Sequence, residues 1–282
     1  MKLLIIICGS AVLLLLLGIL IAFLCLYRFV GFARCVGDRK YGYMTQEIHV
    51  KHDDVDLFGV AFIPEDENRN IFPTLIYSHG AGQDYKEDIT TLKSLAMSGI
   101  ACYSFDYYGW SKRSTGEKGA GYFSSTPMKE TEKYKTQVKS QVIDLASVIK
   151  EVSGFDFVDK ENLYLLGSSM GGVTAAVTAG KYPSYLKGLI LEYPAMFLSD
   201  GAMVKGSDDD ASRYKGDVII QLGKKDTMVS ITYSEKLCDY YNEENVHATL
   251  KEYDGQGHGF SGKYKVISAF VIYDFMKTKQ SI

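Results

Sequence analysis

The chain has few of the residues that build disulfide frameworks and zinc sites, and it lacks the basic stripe of a nucleic-acid-binding surface. Its 282 residues include five cysteines and five histidines. Cys35, Cys102 and Cys238 are widely spaced, which fits neither a disulfide framework nor the paired spacing of zinc ligands. The net charge is −3, and lysines are interspersed with acidic residues instead of forming a basic stripe. Composition therefore gives no indication of a metal centre, and it argues against a nucleic-acid partner.

The sequence also lacks internal repeats, low-complexity tracts and a glycine-rich phosphate-binding loop. Its length and its hydrophobic content of 46% suit a single α/β domain of ordinary size. The chain has 21 tyrosines, most of which we expect in the core or at its edge, with an aromatic-lined cleft as the alternative.

Hydrophobic periodicity predicts alternating strands and helices, which is typical of a mostly parallel sheet covered on both faces. The predicted strands are 46–50, 57–63, 74–78, 101–105, 163–166, 186–191, 217–222 and 248–253, and the predicted helices are 88–98, 138–152, 173–180, 232–241 and 263–277. The first two strands are predicted to form an antiparallel hairpin around Asp53-Asp54. His49 and His52 flank this turn, and we expect both at the surface.

The most informative motif is Gly167-Ser168-Ser169-Met170-Gly171. It lies between a predicted strand and a predicted helix, which is the setting of a G-x-S-x-G nucleophile elbow. Such a turn forces its central residue into a strained backbone conformation, and the flanking glycines let strand and helix pass without collision. The positive end of the helix favours negative charge that develops near Ser169. The motif therefore predicts a nucleophilic serine and cleavage of acyl bonds.

A nucleophilic serine needs a base, and the base needs a carboxylate to orient it. Behind an elbow of this type the order along the chain is Ser, then Asp or Glu, then His. Only His247 and His258 follow Ser169. His258 lies in the glycine-rich loop 255–260, whereas His247 opens a predicted strand and reads as a solvated or packed residue. We therefore predict His258 as the base.

Two carboxylates are candidates for the acid of the triad. Asp226 lies in the loop after the predicted strand 217–222, and catalytic groups in open α/β sheets gather beyond such strand ends. Its position between Ser169 and His258 makes it the preferred acid, with an ordinary turn or helix-capping role as the other interpretation. Glu192, at the end of the preceding strand, is the alternative acid.

An oxyanion hole needs two backbone N–H donors. The residue after the nucleophile, Met170, is predicted to supply one. The run His79-Gly80-Ala81-Gly82 follows a predicted strand, and its glycines allow the backbone to turn the Ala81 N–H inward. His79 is expected to fix this loop by hydrogen bonding and not to act as a base.

These motifs together resemble the α/β-hydrolases, in particular the carboxylesterase branch that includes cinnamoyl and feruloyl esterases and the serine aminopeptidase-like hydrolases. The resemblance covers about residues 45–278 and rests on His79-Gly80-Ala81-Gly82, Phe105-Asp106-Tyr107-Tyr108-Gly109-Trp110-Ser111, the elbow at Ser169, Lys224-Lys225-Asp226 and Gly257-His258-Gly259-Phe260. It implies an α/β-hydrolase fold that cleaves a small-molecule carboxylic ester through an acyl-enzyme intermediate, without a cofactor. A serine peptidase or aminopeptidase, a lipase or lysophospholipase, and a binding protein with a degenerate fold are the alternatives.

The chain departs from these esterases in its lid. They commonly insert a substantial segment between the sixth and seventh strands, whereas the corresponding stretch here runs only from 196 to 216. The acidic run Ser207-Asp208-Asp209-Asp210 within it is expected to be a solvated loop. We expect either an open cleft or one covered by the loop 112–130, and the short lid weakens any inference of hydroxycinnamate substrates.

The N-terminal segment has no charged residue from Leu3 to Leu26. A helix of this length spans about 36 Å, enough for a hydrocarbon core of roughly 30 Å. No small-residue cleavage site follows it, as a secretory signal would require. We predict a single-pass membrane anchor at 1–27, a juxtamembrane linker at 28–44 and the α/β-hydrolase catalytic domain at 45–282.

Two orientations in the membrane remain open. Four basic residues, Arg28, Arg34, Arg39 and Lys40, follow the anchor and outnumber Lys2, so the positive-inside rule places the catalytic domain in the cytoplasm. A short basic start before an apolar stretch also resembles an export anchor, which would place the domain outside.

Overall fold

The computed structural model describes residues 17–22, 40–117 and 131–279. Its strands are β1 (Gly42–Glu47), β2 (Val50–His52), β3 (Val55–Leu57), β4 (Gly59–Glu65), β5 (Phe72–Ser78), β6 (Ala101–Phe105), β7 (Val158–Ser168), β8 (Gly188–Glu192), β9 (Asp217–Gly223) and β10 (Ala248–Tyr253). Its longer helices are α1 (Ile89–Ala96), α2 (Thr131–Val152), α3 (Met170–Lys181), α4 (Ile231–Glu243) and α5 (Gly262–Lys279).

Eight of these strands form one sheet in the order β1-β4-β6-β5-β7-β8-β9-β10. The run from β6 to β10 is parallel, and β4 and β1 are added antiparallel at one edge. Parallel neighbours need crossover connections, which α1 to α4 supply for every parallel pair except β8–β9, and together with α5 these helices cover both faces of the sheet. The predicted mostly parallel sheet with helices on both faces is confirmed.

Two apolar layers hold the helices to the sheet. On one face, α2 buries Val138, Val142, Leu145 and Ile149 at helical spacing, together with residues of α3 and α4. On the other face, α1 and α5 pack around a smaller cluster. The central strand β5 is buried along its whole length because it has neighbours on both edges and helices on both faces. Each large apolar side chain removed from water in these layers contributes roughly 1.5–3 kcal/mol.

The predicted N-terminal hairpin is divided into two pairings. β1 pairs with β4, while the short strands β2 and β3 form a separate hairpin around Asp53-Asp54. Asp53 has a φ of 47°, the left-handed conformation that such a tight turn requires. β1 begins inside the predicted linker of residues 28–44, and the remaining domain division stays a prediction.

The prediction that His52 lies at the surface is wrong. Its side chain is 14% exposed, and its Nε2 lies 2.9 Å from Asp144 Oδ1 on α2. This hydrogen bond outweighs the effect of burial and raises the pKa of His52. The contact ties the hairpin to the helix. His49 is more exposed, as expected, and pairs with Asp56.

The lid segment is short but more ordered than its composition predicts. Two turns of 3₁₀ helix, Met196–Leu198 and Ala211–Arg213, frame it. Asp210 is buried and accepts hydrogen bonds from the N–H groups of Gly206 and Ser212 and from Tyr240 OH. The expectation of a solvated acidic loop is therefore wrong for Asp210, because two neighbouring backbone N–H groups and the hydroxyl of Tyr240, 30 residues away, satisfy its carboxylate. Most of the loop 112–130 lies outside the described residues.

Most of the predicted anchor also lies outside the described residues. Of the anchor, only the helical stretch at 17–22 is described. Within the described ranges, no helix combines the length and hydropathy needed to cross a bilayer.

Candidate active site

Ser169 occupies the sharp turn between β7 and α3. Its φ of 54° and ψ of −118° lie outside the regions that L-residues ordinarily adopt. A side chain at Gly171 would collide with the carbonyl oxygens of Ser78 and His79, and one at Gly167 would collide with the Gly171 carbonyl. Gly171 is therefore needed where α3 passes close to the end of β5, and Gly167 is needed where β7 and α3 pass each other. The predicted strand–turn–helix setting is what the structure shows.

The structure brings Ser169, His258 and Asp226 together. His258 Nε2 lies 2.9 Å from Ser169 Oγ, and His258 Nδ1 lies 2.7 Å from Asp226 Oδ2. Because a carboxylate only accepts hydrogen bonds, Nδ1 carries the ring proton and Nε2 is left to accept the serine hydroxyl proton. This arrangement can withdraw a proton from the hydroxyl while the carboxylate stabilises the resulting imidazolium.

Asp226 is held rigidly in the loop after β9. Its side chain is 3% exposed, and its Oδ1 accepts from the N–H groups of Met228 at 2.8 Å and Val229 at 2.9 Å. Burial alone would raise the pKa of Asp226, but the hydrogen bonds from His258 and these amides lower it below its usual value. The carboxylate therefore stays ionised opposite the imidazole.

Glu192, the alternative acid, points elsewhere. Its carboxylate accepts from Ser168 Oγ at 3.2 Å and from the hydroxyl of Ser268 on α5. Burial, reinforced by the charge of Asp88, raises the pKa of Glu192 to about 7. The other downstream histidine, His247, is an exposed residue whose Nδ1 lies 2.6 Å from Asp217 Oδ1.

The two predicted oxyanion donors belong to segments next to the serine: Met170 directly follows it, and a Cβ on Gly80, the residue before Ala81, would stand 3.5 Å from Ser169 Cβ. Met170 is the first residue of α3, and Ala81 lies in the loop after β5. Within the described part of the chain, neither backbone N–H donates a hydrogen bond. His79 fixes the loop, as expected: its Nδ1–H donates to Gly80 O at 2.8 Å while its Nε2 accepts from Tyr107 N–H at 3.3 Å. Two uncommitted amides beside a nucleophile can bind a developing oxyanion.

Two residues at the site have no signal in the sequence. Tyr193 has a φ of 39° and places its ring 4.8 Å from the His258 ring and 5.1 Å from Phe260. This backbone conformation is strained, and apart from the place of Tyr193 directly after β8 nothing in the sequence indicates the strain. Glu87 accepts a hydrogen bond from Gly80 N–H at 2.6 Å. No motif marks Glu87, because its role depends on a contact made only in the fold.

Among residues 17–22, 40–117 and 131–279, no group of three or more His, Cys, Asp or Glu side chains is arranged to hold a metal ion. Cys102 and Cys238 are both buried free thiols.

Comparison with known proteins shows the same fold. A family described as serine aminopeptidase, S33, matches residues 70–208, just under half of the chain. A search of curated proteins gives no match. Est1E from Butyrivibrio proteoclasticus, solved with ferulic acid bound, is 18% identical, with 82% of this chain and 98% of that chain covered and a TM-score of 0.65.

Two further solved structures are similar at the level of the fold. Dienelactone hydrolase from Anabaena variabilis is 15% identical, with 85% of this chain and 99% of that chain covered and a TM-score of 0.63. Dipeptidyl peptidase 4 from Porphyromonas gingivalis is 15% identical, with 86% of this chain but 36% of that chain covered and a TM-score of 0.62. Esterases and peptidases therefore both share this architecture.

Proposed function

We propose that the chain is a serine hydrolase of the α/β-hydrolase type that cleaves carboxylic esters through a Ser169–His258–Asp226 triad and an acyl-enzyme intermediate. The observation that carries the proposal is the continuous chain of hydrogen bonds from Ser169 Oγ through the imidazole to the Asp226 carboxylate. The two uncommitted amides next to the serine support it, because acyl transfer needs stabilisation of an oxyanion.

In the first step, His258 Nε2 takes the proton of Ser169 as Oγ attacks the ester carbonyl carbon. The carbonyl oxygen becomes an oxyanion that the N–H groups of Ala81 and Met170 bind. Asp226 keeps the imidazole in the required tautomer and stabilises its charged form. The imidazolium then gives its proton to the departing alcohol, which leaves Ser169 acylated.

In the second step, His258 takes a proton from a water molecule that attacks the acyl-enzyme. The same two amides bind the second oxyanion, and collapse of the intermediate returns the proton to Ser169 Oγ and releases the acid. Every proton transfer uses one imidazole, so no organic cofactor or metal enters this mechanism.

The substrate is proposed to be a small or medium ester. The short lid segment, framed by Met196–Leu198 and Ala211–Arg213, supports a lightly covered cleft. The likeness in fold to an esterase solved with ferulic acid also favours an ester of modest size. Activity on nitrophenyl esters of increasing acyl length, on methyl ferulate and on aminoacyl anilides tests this. We expect turnover of short esters; cleavage restricted to aminoacyl anilides would contradict the proposal.

A serine peptidase or aminopeptidase is the second candidate function. It is favoured by the description of the matching family as serine aminopeptidase. The match includes β7 and Ser169, which follows it. The same triad serves both reactions, so only the substrate panel separates them. A preference of at least about tenfold in kcat/KM for the esters supports esterase activity, and the reverse preference supports the peptidase.

We also propose that residues 1–27 anchor the enzyme in a bilayer, because the segment from Leu3 to Leu26 carries no charge. The full chain should remain with membranes after alkaline extraction, and a variant that begins at residue 40 should be soluble and active. Extraction of the full chain into the supernatant would contradict the anchor.

Protease access in sealed vesicles distinguishes the two orientations. Turnover of lysophospholipid in vesicles tests the lysophospholipase variant of this function.

A further inference from the structure

Glu87 lies directly beside the loop that carries the proposed oxyanion donor Ala81. Its Oε2 accepts a hydrogen bond of 2.6 Å from Gly80 N–H and one of 2.8 Å from Tyr77 OH. Both donors belong to β5 and the loop after it, whereas Glu87 belongs to the turns before α1. Burial, with a smaller contribution from the charge of Glu87, raises the pKa of Tyr77. The Tyr77 hydroxyl therefore keeps its proton and remains a donor.

The other side of Gly80 is fixed by His79. The imidazole Nδ1–H donates to Gly80 O at 2.8 Å, and Tyr107 N–H holds the opposite ring nitrogen. The Gly80 carbonyl and the Ala81 N–H belong to one planar peptide unit and point in opposite directions. The bond from His79 therefore sets the direction of the Ala81 N–H. The hydrogen bond from Gly80 N–H to Glu87 Oε2 holds the preceding peptide unit, the one between His79 and Gly80.

Gly80 lies between the Glu87 carboxylate and the nucleophile. A Cβ at this position would stand 3.1 Å from Glu87 Oε1 and 3.5 Å from Ser169 Cβ. Glycine has the largest conformational freedom of any residue, so this position needs contacts from outside the loop to hold one conformation. Hydrogen bonds to a carboxylate are about twice as strong as bonds between neutral groups, which suits them to that task.

We propose that Glu87 is a positioning residue that holds Gly80 so that the Ala81 N–H points at the oxyanion of the transition state. The inference rests on the proposed esterase function. Glu87 acts through the loop and does not touch the substrate. An oriented amide stabilises the transition state more than the bound ester, so its misplacement lowers kcat and leaves KM nearly unchanged.

Kinetics of Glu87 variants on a nitrophenyl ester test the proposal. Glu87→Ala should lower kcat by about 10- to 100-fold with KM changed less than about twofold, part of the effect of losing one oxyanion donor. Binding of an arylboronic acid, which mimics the tetrahedral intermediate, should weaken in parallel. Glu87→Gln keeps an acceptor oxygen and should restore kcat to within about fivefold of wild type.

Glu244→Ala is the matched control. Glu244 is also a partly buried carboxylate with a close partner, Lys205 Nζ at 2.6 Å, but it lies at the far end of α4. It should leave kcat and boronate binding unchanged. If Glu87→Ala fails to fold, Tyr77→Phe removes one of the two donors to the carboxylate and should give a smaller fall in kcat at the same KM.

Two kinetic outcomes would overturn the proposal. A raised KM with unchanged kcat in Glu87→Ala would mean that the carboxylate contacts the substrate. Wild-type kcat and boronate binding in folded Glu87→Ala would mean that the loop needs no such support.

Hydrogen exchange separates this inference from the proposed function. If the wild-type protein hydrolyses no ester, the function is wrong, but the hold on the loop is still measurable. Peptides that cover residues 78–84 should exchange faster in Glu87→Ala than in wild type or Glu244→Ala, because the Gly80 amide loses its acceptor. Equal exchange in all three proteins would contradict the positioning role whatever the activity.

Discussion

His258 Nε2 lies 2.9 Å from Ser169 Oγ, although 89 residues separate them in the chain. The sheet topology explains this proximity. Ser169 follows β7, Asp226 follows β9 and His258 follows β10, and these strands belong to one parallel run. Parallel strands end at the same edge of a sheet, so residues placed directly after each of them meet there.

Replacing Ser169 by Ala should abolish hydrolysis of short nitrophenyl esters, because no other described hydroxyl contacts His258 Nε2. We expect a loss of kcat of at least about 10³-fold with an unchanged circular dichroism spectrum. Ser168→Ala is the matched control, since the Ser168 hydroxyl bonds to Glu192 and not to the imidazole. Strong activity in Ser169→Ala would exclude this serine as the nucleophile.

Replacing Asp226 by Asn should lower kcat by roughly 10³-fold or more, since an amide no longer stabilises the imidazolium and favours the wrong ring tautomer. Glu192→Gln should change kcat far less, because Glu192 contacts Ser168 and Ser268 instead of His258. Steady-state kinetics of both variants on one ester make the comparison. A greater loss in Glu192→Gln would transfer the acid role to Glu192.

Stability should depend on pH through Glu192. Its pKa of about 7 in the folded protein lies above the ordinary 4.5, so between these values the folded state binds more protons than the unfolded state. Its contribution is therefore favourable below pH 4.5 and is lost as the pH rises to 7. Glu192→Gln does not titrate and avoids this loss. Its free energy of unfolding should therefore rise relative to that of wild type by on the order of 1–3 kcal/mol between pH 4.5 and pH 8.

Urea unfolding at pH 4.5 and pH 8 measures this difference. A free-energy difference between wild type and Glu192→Gln that is the same at both pH values would mean that Glu192 does not titrate in this window.

Replacing Gly171 by Ala should reduce both stability and activity. The added methyl group would collide with the carbonyl oxygens of Ser78 and His79, where the elbow touches the start of the oxyanion loop. We expect the free energy of unfolding to fall by at least about 2 kcal/mol, as for overpacked sites. The fraction that still folds should have a lower kcat. Gly154→Ala is the control, because a methyl group there meets only Glu151 O at 3.2 Å. Unfolding midpoints close to wild type for Gly171→Ala would contradict the close approach.

The elbow and most of the central strands were predictable because their signals are local. Gly167, Gly171 and the apolar run before them are adjacent in sequence, and β5 and β6 read as short apolar runs. The predicted strand bounds were wrong where a strand lacks a regular pattern of buried apolar residues. β7 begins at Val158 and not at 163, because its first half is partly exposed, and β1 is an exposed edge strand without a core-facing pattern.

Contacts between distant residues were not predictable. His52 is mostly shielded from solvent and bonds to Asp144, 92 residues away, and the buried Asp210 accepts from Tyr240, 30 residues away. Glu87 approaches Gly80 only once the turn before α1 has folded against β5. Such pairings depend on tertiary geometry, which neither propensity nor spacing records.

Covalent labelling tests the central claim most directly. The full chain is treated with a fluorophosphonate, which modifies activated serines, and the modified peptide is identified by mass spectrometry. The account predicts a single adduct on Ser169, faster labelling of wild type than of Asp226→Asn, and no adduct in Ser169→Ala. An unmodified wild-type protein, or an adduct that persists in Ser169→Ala, would contradict it.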